Sequence, residues 1–159
     1  MPETVAGREG PGSPDPGLPG HPAAAGSPDP GGTLVILRHG ESVFNAAQIF
    51  TGLLDADVTP AGLAQVDEAA RLMVGAGLVP HHVVTSPMVR AVRTADRLLE
   101  ALVDLGALDS ADSLPVSVTW RLNERDYGIL TGVPKAISRA RYGEEAFFTW
   151  RRTLHGRPP

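Results

Sequence analysis

Four consecutive apolar residues, Leu34-Val35-Ile36-Leu37, stop abruptly at Arg38-His39-Gly40-Glu41-Ser42. A run that is apolar at every position, rather than at alternate ones, is the pattern of a strand buried on both faces. Such a strand needs a layer above and a layer below, so this run constrains the fold more than any other feature. The rest of the chain fits that demand. Thr59-Pro60 reads as an N-cap and first helical residue. Leu63, Val66, Ala70, Met73 and Val74 then share one stripe, with Asp67, Glu68 and Arg71 largely off it. Gly77 suits the C-terminal stop. Val83-Val84-Thr85 is predicted as a second strand, and Ser86-Pro87 repeats the cap-then-proline start. The following helix lines up Met88, Ala91, Val92, Ala95, Leu98, Leu99 and Leu102. A third strand is predicted at Val116–Thr119, a loop from Trp120 to Gly132, and two short helices around Lys135–Arg141 and Glu144–Arg152. Strand and helix alternate three times, which predicts an α/β domain: a layered, mainly parallel sheet flanked by helices.

The segment before Leu34 differs in kind. Residues 1–33 hold 8 of the 15 prolines and 8 of the 18 glycines, and GSPDPG occurs twice, at Gly12–Gly17 and Gly26–Gly31. With only Val5 and Leu18 as sizeable apolar residues, it cannot bury enough surface to offset its ordering entropy. A disordered Pro/Gly-rich tail is expected over 1–33 and a folded domain over 34–159, a docking arm being the alternative for the tail. The 159 residues suit one domain plus such a tail. A net charge of −4 is unlike a nucleic-acid-binding composition. The absence of cysteine excludes disulfides, thiol catalysis and cysteine-based zinc sites. No apolar run approaches the roughly 20 residues that span a bilayer, and no secretory leader is visible. A cytoplasmic, soluble protein without membrane or nucleic-acid partners is expected.

Ligands of open α/β sheets sit beyond the carboxyl ends of the strands. Arg38-His39, Thr85-Ser86 and Trp120-Arg121 fall at those ends, which predicts a convergent site. Neutral imidazole is a competent nucleophile toward phosphorus, and Arg38 beside His39 would hold phosphoryl oxygens while favouring the neutral ring. Gly40 permits close backbone approach, and Ser42 and Asn45 could donate to the same anion. Read alone, His39 could equally be a surface histidine in a turn. Arg90, near the start of a helix placed at Ser86, would offer a bidentate fork, whereas Arg93 suits a solvated face. Glu124 could move the proton that phosphoryl transfer requires, or simply pair with Arg121 or Arg125. Lys135 and Arg151-Arg152 could hold a carboxylate or second phosphate, or form a basic helix face. His21, His81, His82 and His155 show no metal-ligand spacing, and no GxxxxGK phosphate loop occurs.

Taken together, Leu37-Arg38-His39-Gly40-Glu41-Ser42, Asn45 and Phe50-Thr51-Gly52 resemble the opening of the histidine phosphatase superfamily. Thr85-Ser86 with Arg90-Ala91 and Thr94 resembles its second block. Trp120-Arg121-Leu122-Asn123-Glu124-Arg125-Asp126-Tyr127-Gly128, with Leu130, Gly132, Lys135, Tyr142-Gly143 and Trp150-Arg151-Arg152, is similar to one branch, cofactor-dependent phosphoglycerate mutase. The resemblance runs from Leu34 to the C-terminus. It implies that His39 is phosphorylated during turnover, that Arg38 and Arg90 hold the transferring group, and that Glu124 gives and takes the proton. Ser42, Asn45, Thr51 and Gly52 would line the phosphate pocket, and Tyr127, Lys135, Arg151 and Arg152 would grip the rest of a phosphoglycerate. The implied reaction exchanges 3- and 2-phosphoglycerate, primed by 2,3-bisphosphoglycerate and without a metal, in a self-associating protein. Asp126 stands where that branch has histidine, and Phe44 and Leu53 replace two of its tryptophans. The branch also places a second catalytic histidine in a later strand–turn block, which this sequence does not reach. The chain is therefore expected to be incomplete at its C-terminus. Three functions follow: an impaired phosphoglycerate mutase, a phosphatase of small phosphate esters, or a non-catalytic domain that binds phosphometabolites or pairs with another subunit.

Overall fold

The computed structural model describes residues 31–159, in two units that divide between Val35 and Ile36. The described part of the first unit, residues 31–35, is exposed and carries no helix or strand. The expected tail, but for its last three residues, lies outside the described residues.

The second unit orders as α1 (Val43–Ala46), α2 (Pro60–Gly75), β1 (Val83–Thr85), α3 (Val89–Asp104), β2 (Val116–Val118) and α4 (Lys135–Arg152), with three short 3-10 turns. β1 and β2 pair in parallel, with Val83 opposite Val116 and Thr85 opposite Val118. A parallel pair needs a crossover, and α3 provides it. This is the expected α/β alternation, on a sheet of two strands among the described residues.

Thr59 caps α2 as expected, its hydroxyl accepting from Gly62 N at 3.0 Å, and Gly77 follows with φ +68°. Val66, Ala70 and Met73 pack against Leu98, Ala101 and Leu102 of α3 to form the main core. Burying each large apolar side chain is worth about 1.5–3 kcal/mol. The Arg97–Asp67 pair that also joins the helices, at 2.6 Å and part-exposed, adds about 1 kcal/mol at most. Apolar packing therefore holds α2 to α3. A second cluster, Phe50, Leu130 and Phe147, ties the loop after α1 to α4.

The structure corrects two expectations. Leu34–Leu37 is not a buried strand: Leu34 is 82% and Ile36 86% exposed. A strand exists through its neighbour's hydrogen bonds, and none of the described strands lies alongside it. Ser86 does not cap α3: the helix begins at Val89, Met88 is its N-cap without a side-chain bond, and Ser86 is buried. The Asp55 carboxylate instead accepts from Val89 N at 2.9 Å, so a side chain distant in sequence satisfies that terminus. The two short helices expected around Lys135–Arg141 and Glu144–Arg152 do form: the stretch Lys135–Arg152 is two helices that meet in a kink at Gly143, where φ is +83°. Only glycine takes that backbone cheaply.

Candidate active site

The turn after Leu37 is fixed by short-range and long-range contacts together. Ser42 and Asn45 form a reciprocal cap on α1: Asn45 N donates to Ser42 Oγ at 3.2 Å, and Ser42 N to Asn45 Oδ1 at 3.3 Å. Gly40 N donates to Thr94 Oγ1 of α3 at 3.0 Å. An added Cβ on Gly40 would lie 2.5 Å from the Gly62 carbonyl oxygen, so only glycine lets the turn pack this closely on α2. His39 Nδ1 lies 2.7 Å from Gly40 O. A carbonyl only accepts, so the proton sits on Nδ1 and the Nε2 lone pair is left available.

Two adjoining cavities flank this ring. The larger, about 480 Å³, is lined by Leu37, Arg38, His39, Gly40, Glu41, Asn45, Gln48, Gln65, Val66, Lys135 and Arg151. Its size suits a small ligand. The smaller, about 80 Å³, shares Arg38, His39, Asn45, Lys135 and Arg151 and adds Ile49, Phe50, Thr51, Gly52, Arg90, Glu124 and Tyr127. Ten of the twelve residues singled out in the sequence thus meet around one histidine. Two do not line either cavity. Ser42 is fully buried beneath the site with its oxygen engaged in the helix cap, and Arg152 is exposed. Nor do Thr85-Ser86 and Trp120-Arg121 form the lining: Trp120 is 69% exposed. Arg90 and Glu124, a few residues beyond those strand ends, take their place.

Arg90 departs from a simple phosphate fork. It is 2% exposed, and its guanidinium donates to Leu54 O at 3.0 Å and Gly52 O at 3.1 Å. It therefore holds the Thr51–Leu54 loop as well as facing the smaller cavity. Lys135 is placed by its backbone: Lys135 N donates to Gln48 O at 2.8 Å, beside an antiparallel bridge from Ile49 to Pro134. Gln48 and Gln65 carry no signal in the sequence, because each is brought to the site by a contact between distant segments: Lys135 N donates to Gln48 O, and Glu41 N to Gln65 Oε1 at 3.0 Å. Glu124 is not paired with Arg121 or Arg125. Its carboxylate accepts from Arg125 N at 2.9 Å.

Charge is unbalanced here. The smaller cavity carries Arg38, Arg90, Lys135 and Arg151 against one carboxylate, Glu124. None of these four cations makes an ion pair with a described residue, whereas Arg71, Arg93, Arg97 and Arg139 all do. Burial, then repulsion by Arg151 and Arg38, lowers the Lys135 ammonium from its ordinary value. Burial, then Glu124, raises the Tyr127 phenol, which stays protonated at neutral pH. A bound anion would relieve the repulsion. Among the described residues, no group of three or more His, Cys, Asp or Glu side chains is placed to hold a metal ion, and no helix is long and apolar enough to cross a membrane.

Burial lowers the His39 imidazole below its ordinary value of 6.5, and Arg90 and Arg38 add to that, against the opposing Gly40 and Glu124 contacts. The unfolded chain takes up this proton at a higher pH than the folded chain. The associated stability is therefore present above 6.5 and lost as pH falls through the lower folded value. An NMR titration of the His39 ring should give a midpoint below 6.5, and a midpoint above it would contradict the arrangement.

Residues 34–159 match the Histidine phosphatase superfamily (branch 1). The chain belongs to that superfamily. Among its relatives is the 2,3-bisphosphoglycerate-dependent phosphoglycerate mutase of Thermobifida fusca, 46% identical over 127 residues, covering 80% of this chain and 49% of the relative. The enzyme of the same name from Mycobacterium tuberculosis strain H37Rv is 46% identical over 130 residues, with the same two coverages. The chain spans about half the length of the curated relatives it matches. Among solved structures of similar fold, mycobacterial glucosyl-3-phosphoglycerate phosphatase with VO3 superposes with a TM-score of 0.60 at 28% identity, covering 76% of this chain and 51% of that one. Bacillus stearothermophilus YhfR, at 23% identity and a TM-score of 0.59, covers 77% of this chain and 54% of its own and shares the fold.

Proposed function

We propose that the cavity beside His39 takes a phosphoglycerate and that His39 carries its phosphoryl group during exchange between 3- and 2-phosphoglycerate. The observation that carries this reading is a set of four cations with no ion pair among the described residues, Arg38, Arg90, Lys135 and Arg151, around an imidazole whose burial favours its neutral form. The mutase relatives support it. Nε2 of His39 attacks phosphorus, the P–O ester bond breaks, and Glu124 gives the leaving oxygen its proton. In the return half, Glu124 takes the proton from the attacking hydroxyl and the P–N bond breaks. Arg38 and Arg90 meet the charge on the phosphoryl oxygens, while Lys135, Arg151 and the Tyr127 hydroxyl hold the carboxylate end. The same cations suit 2,3-bisphosphoglycerate, which adds a second phosphate to the same carbon frame and needs the excess positive charge found here. When bound, it supplies the phosphoryl group that charges His39. This reading keeps the chain in the cytoplasm with its metabolites and keeps residues 34–159 together as the catalytic-type domain, residues 1–33 lying outside it.

A phosphatase reading has its own support in the phosphatase structures that share the fold. There water replaces the acceptor hydroxyl. A coupled assay of the 159-residue chain with 3-phosphoglycerate, with and without 2,3-bisphosphoglycerate, separates the readings. Mutase turnover that requires the bisphosphate is expected. Release of inorganic phosphate without isomerisation would support the phosphatase. No turnover, with binding of 3-phosphoglycerate retained, would support a binding domain.

A further inference from the structure

Arg125 follows Glu124 directly, yet its side chain leaves the cavity. Its Nη1 donates to Trp150 O at 2.9 Å and to Thr153 O at 3.1 Å. These two carbonyls bracket Arg151-Arg152 at the end of α4. The last carbonyls of a helix have no intrahelical partner, and Arg125 supplies one. Its backbone N–H meanwhile donates to the Glu124 carboxylate at 2.9 Å. One residue therefore touches both the proton-transfer loop and the helix end that carries Arg151.

We propose that Arg125 is a positioning residue: by holding the carbonyls around Arg151, it sets that guanidinium against the cavity and governs the affinity for the ligand's second anionic group. The proposal rests on the phosphoglycerate reading of the site. Two observations define the geometry. The Arg151 guanidinium lies 5.0 Å over the Phe147 ring, and Phe147 is 3% exposed and packs edge-on against Phe50 at 5.8 Å. The ring fixes Arg151 from below, and Arg125 fixes its backbone. Electrostatics point the same way. A helix C-terminus is the negative end of the helix dipole and disfavours an approaching anion. The Arg125 cation sits on that end and offsets it, so the last turn can face an anion with Arg151 alone. Beyond Arg125, the bonds that close the turn among the described residues are local: Thr153 N to Thr149 O at 3.2 Å, Thr153 Oγ1 to Thr149 O at 2.8 Å and Gly156 N to Thr153 Oγ1 at 3.0 Å.

The test compares Arg125→Met and Arg125→Lys with the native chain. Hydrogen exchange is followed over the end of α4, with α2 and α3 as internal controls, and calorimetry measures binding of 3-phosphoglycerate and of inorganic phosphate. Arg125→Met should speed exchange at the end of α4 only. It should weaken 3-phosphoglycerate on the order of tenfold, the scale of one charge-assisted hydrogen bond, while phosphate stays within about twofold. Arg125→Lys, which keeps a cationic donor, should recover most of the loss. Faster exchange with both affinities unchanged would make Arg125 a stabilising cap and overturn the proposal, as would an equal loss for both ligands. If the native chain binds 3-phosphoglycerate no tighter than phosphate, the phosphoglycerate reading itself fails and the proposal with it.

Discussion

His39→Asn should abolish phosphoryl labelling of the protein by 2,3-bisphosphoglycerate. Asparagine carries its amide N–H where His39 Nδ1 now sits, 2.7 Å from Gly40 O, so the turn can keep its bond. It lacks a nitrogen lone pair that can attack phosphorus. Removal of a nucleophile that acts with a preorganised set of partners costs on the order of 10⁴-fold or more. Labelling is measured as acid-labile phosphate on the intact chain and mapped to a peptide. Label on any peptide other than the one with His39, or a variant labelled at the native rate, would sink the covalent role. His39 is not a member of the α2–α3 core cluster, so the substitution removes none of its packing. A circular dichroism spectrum matching the native one checks that loss of labelling is chemical.

Arg90→Lys should cost both stability and rate. Two guanidinium nitrogens reach two carbonyls, Gly52 O and Leu54 O, and a single ammonium cannot reproduce that planar fork. One buried carbonyl is then left without its donor, at about 1–3 kcal/mol, and the Thr51–Leu54 loop loses its anchor to α3. The cavity also loses a guanidinium facing the transferring group, on the order of 100-fold in labelling rate. Denaturant midpoints and labelling rates measured on the same preparation separate the two effects. A stability loss with unchanged labelling would make Arg90 a strut for the loop and nothing more. An unchanged midpoint would instead contradict the paired carbonyl contacts.

The site was more legible in the sequence than its supports were. His39, Arg38, Glu124 and Arg151 sit in short blocks whose order and spacing resemble a known family, which singles them out where each residue read alone keeps a structural alternative. Asp55 at the start of α3, and Gln48 behind Lys135, carry no such signature: each acts through one contact to a segment distant in the chain. Arg90 shows the limit from the other side. Its nearness to the strand end marked it as a phosphate ligand, but its burial and its two carbonyl partners appear only when the loop before α2 folds over it. Leu34–Leu37 shows that an apolar run states a preference for burial and not its fulfilment, since a strand's hydrogen bonds belong to its neighbour.

The sequence alone determined the α2 and α3 stripes, the Thr59 cap, the β1–α3–β2 crossover and the residue types of the site, because these depend on periodicity, capping and side-chain chemistry within a few residues. Tertiary structure alone decided that Ser42 lies beneath the cavity and Arg152 outside it, that α3 starts at Val89 under Asp55, and that four cations share one space with a single carboxylate. Those outcomes depend on which distant segments pack together. Burial and Coulomb energy act through space, and no local pattern encodes the distances that set them.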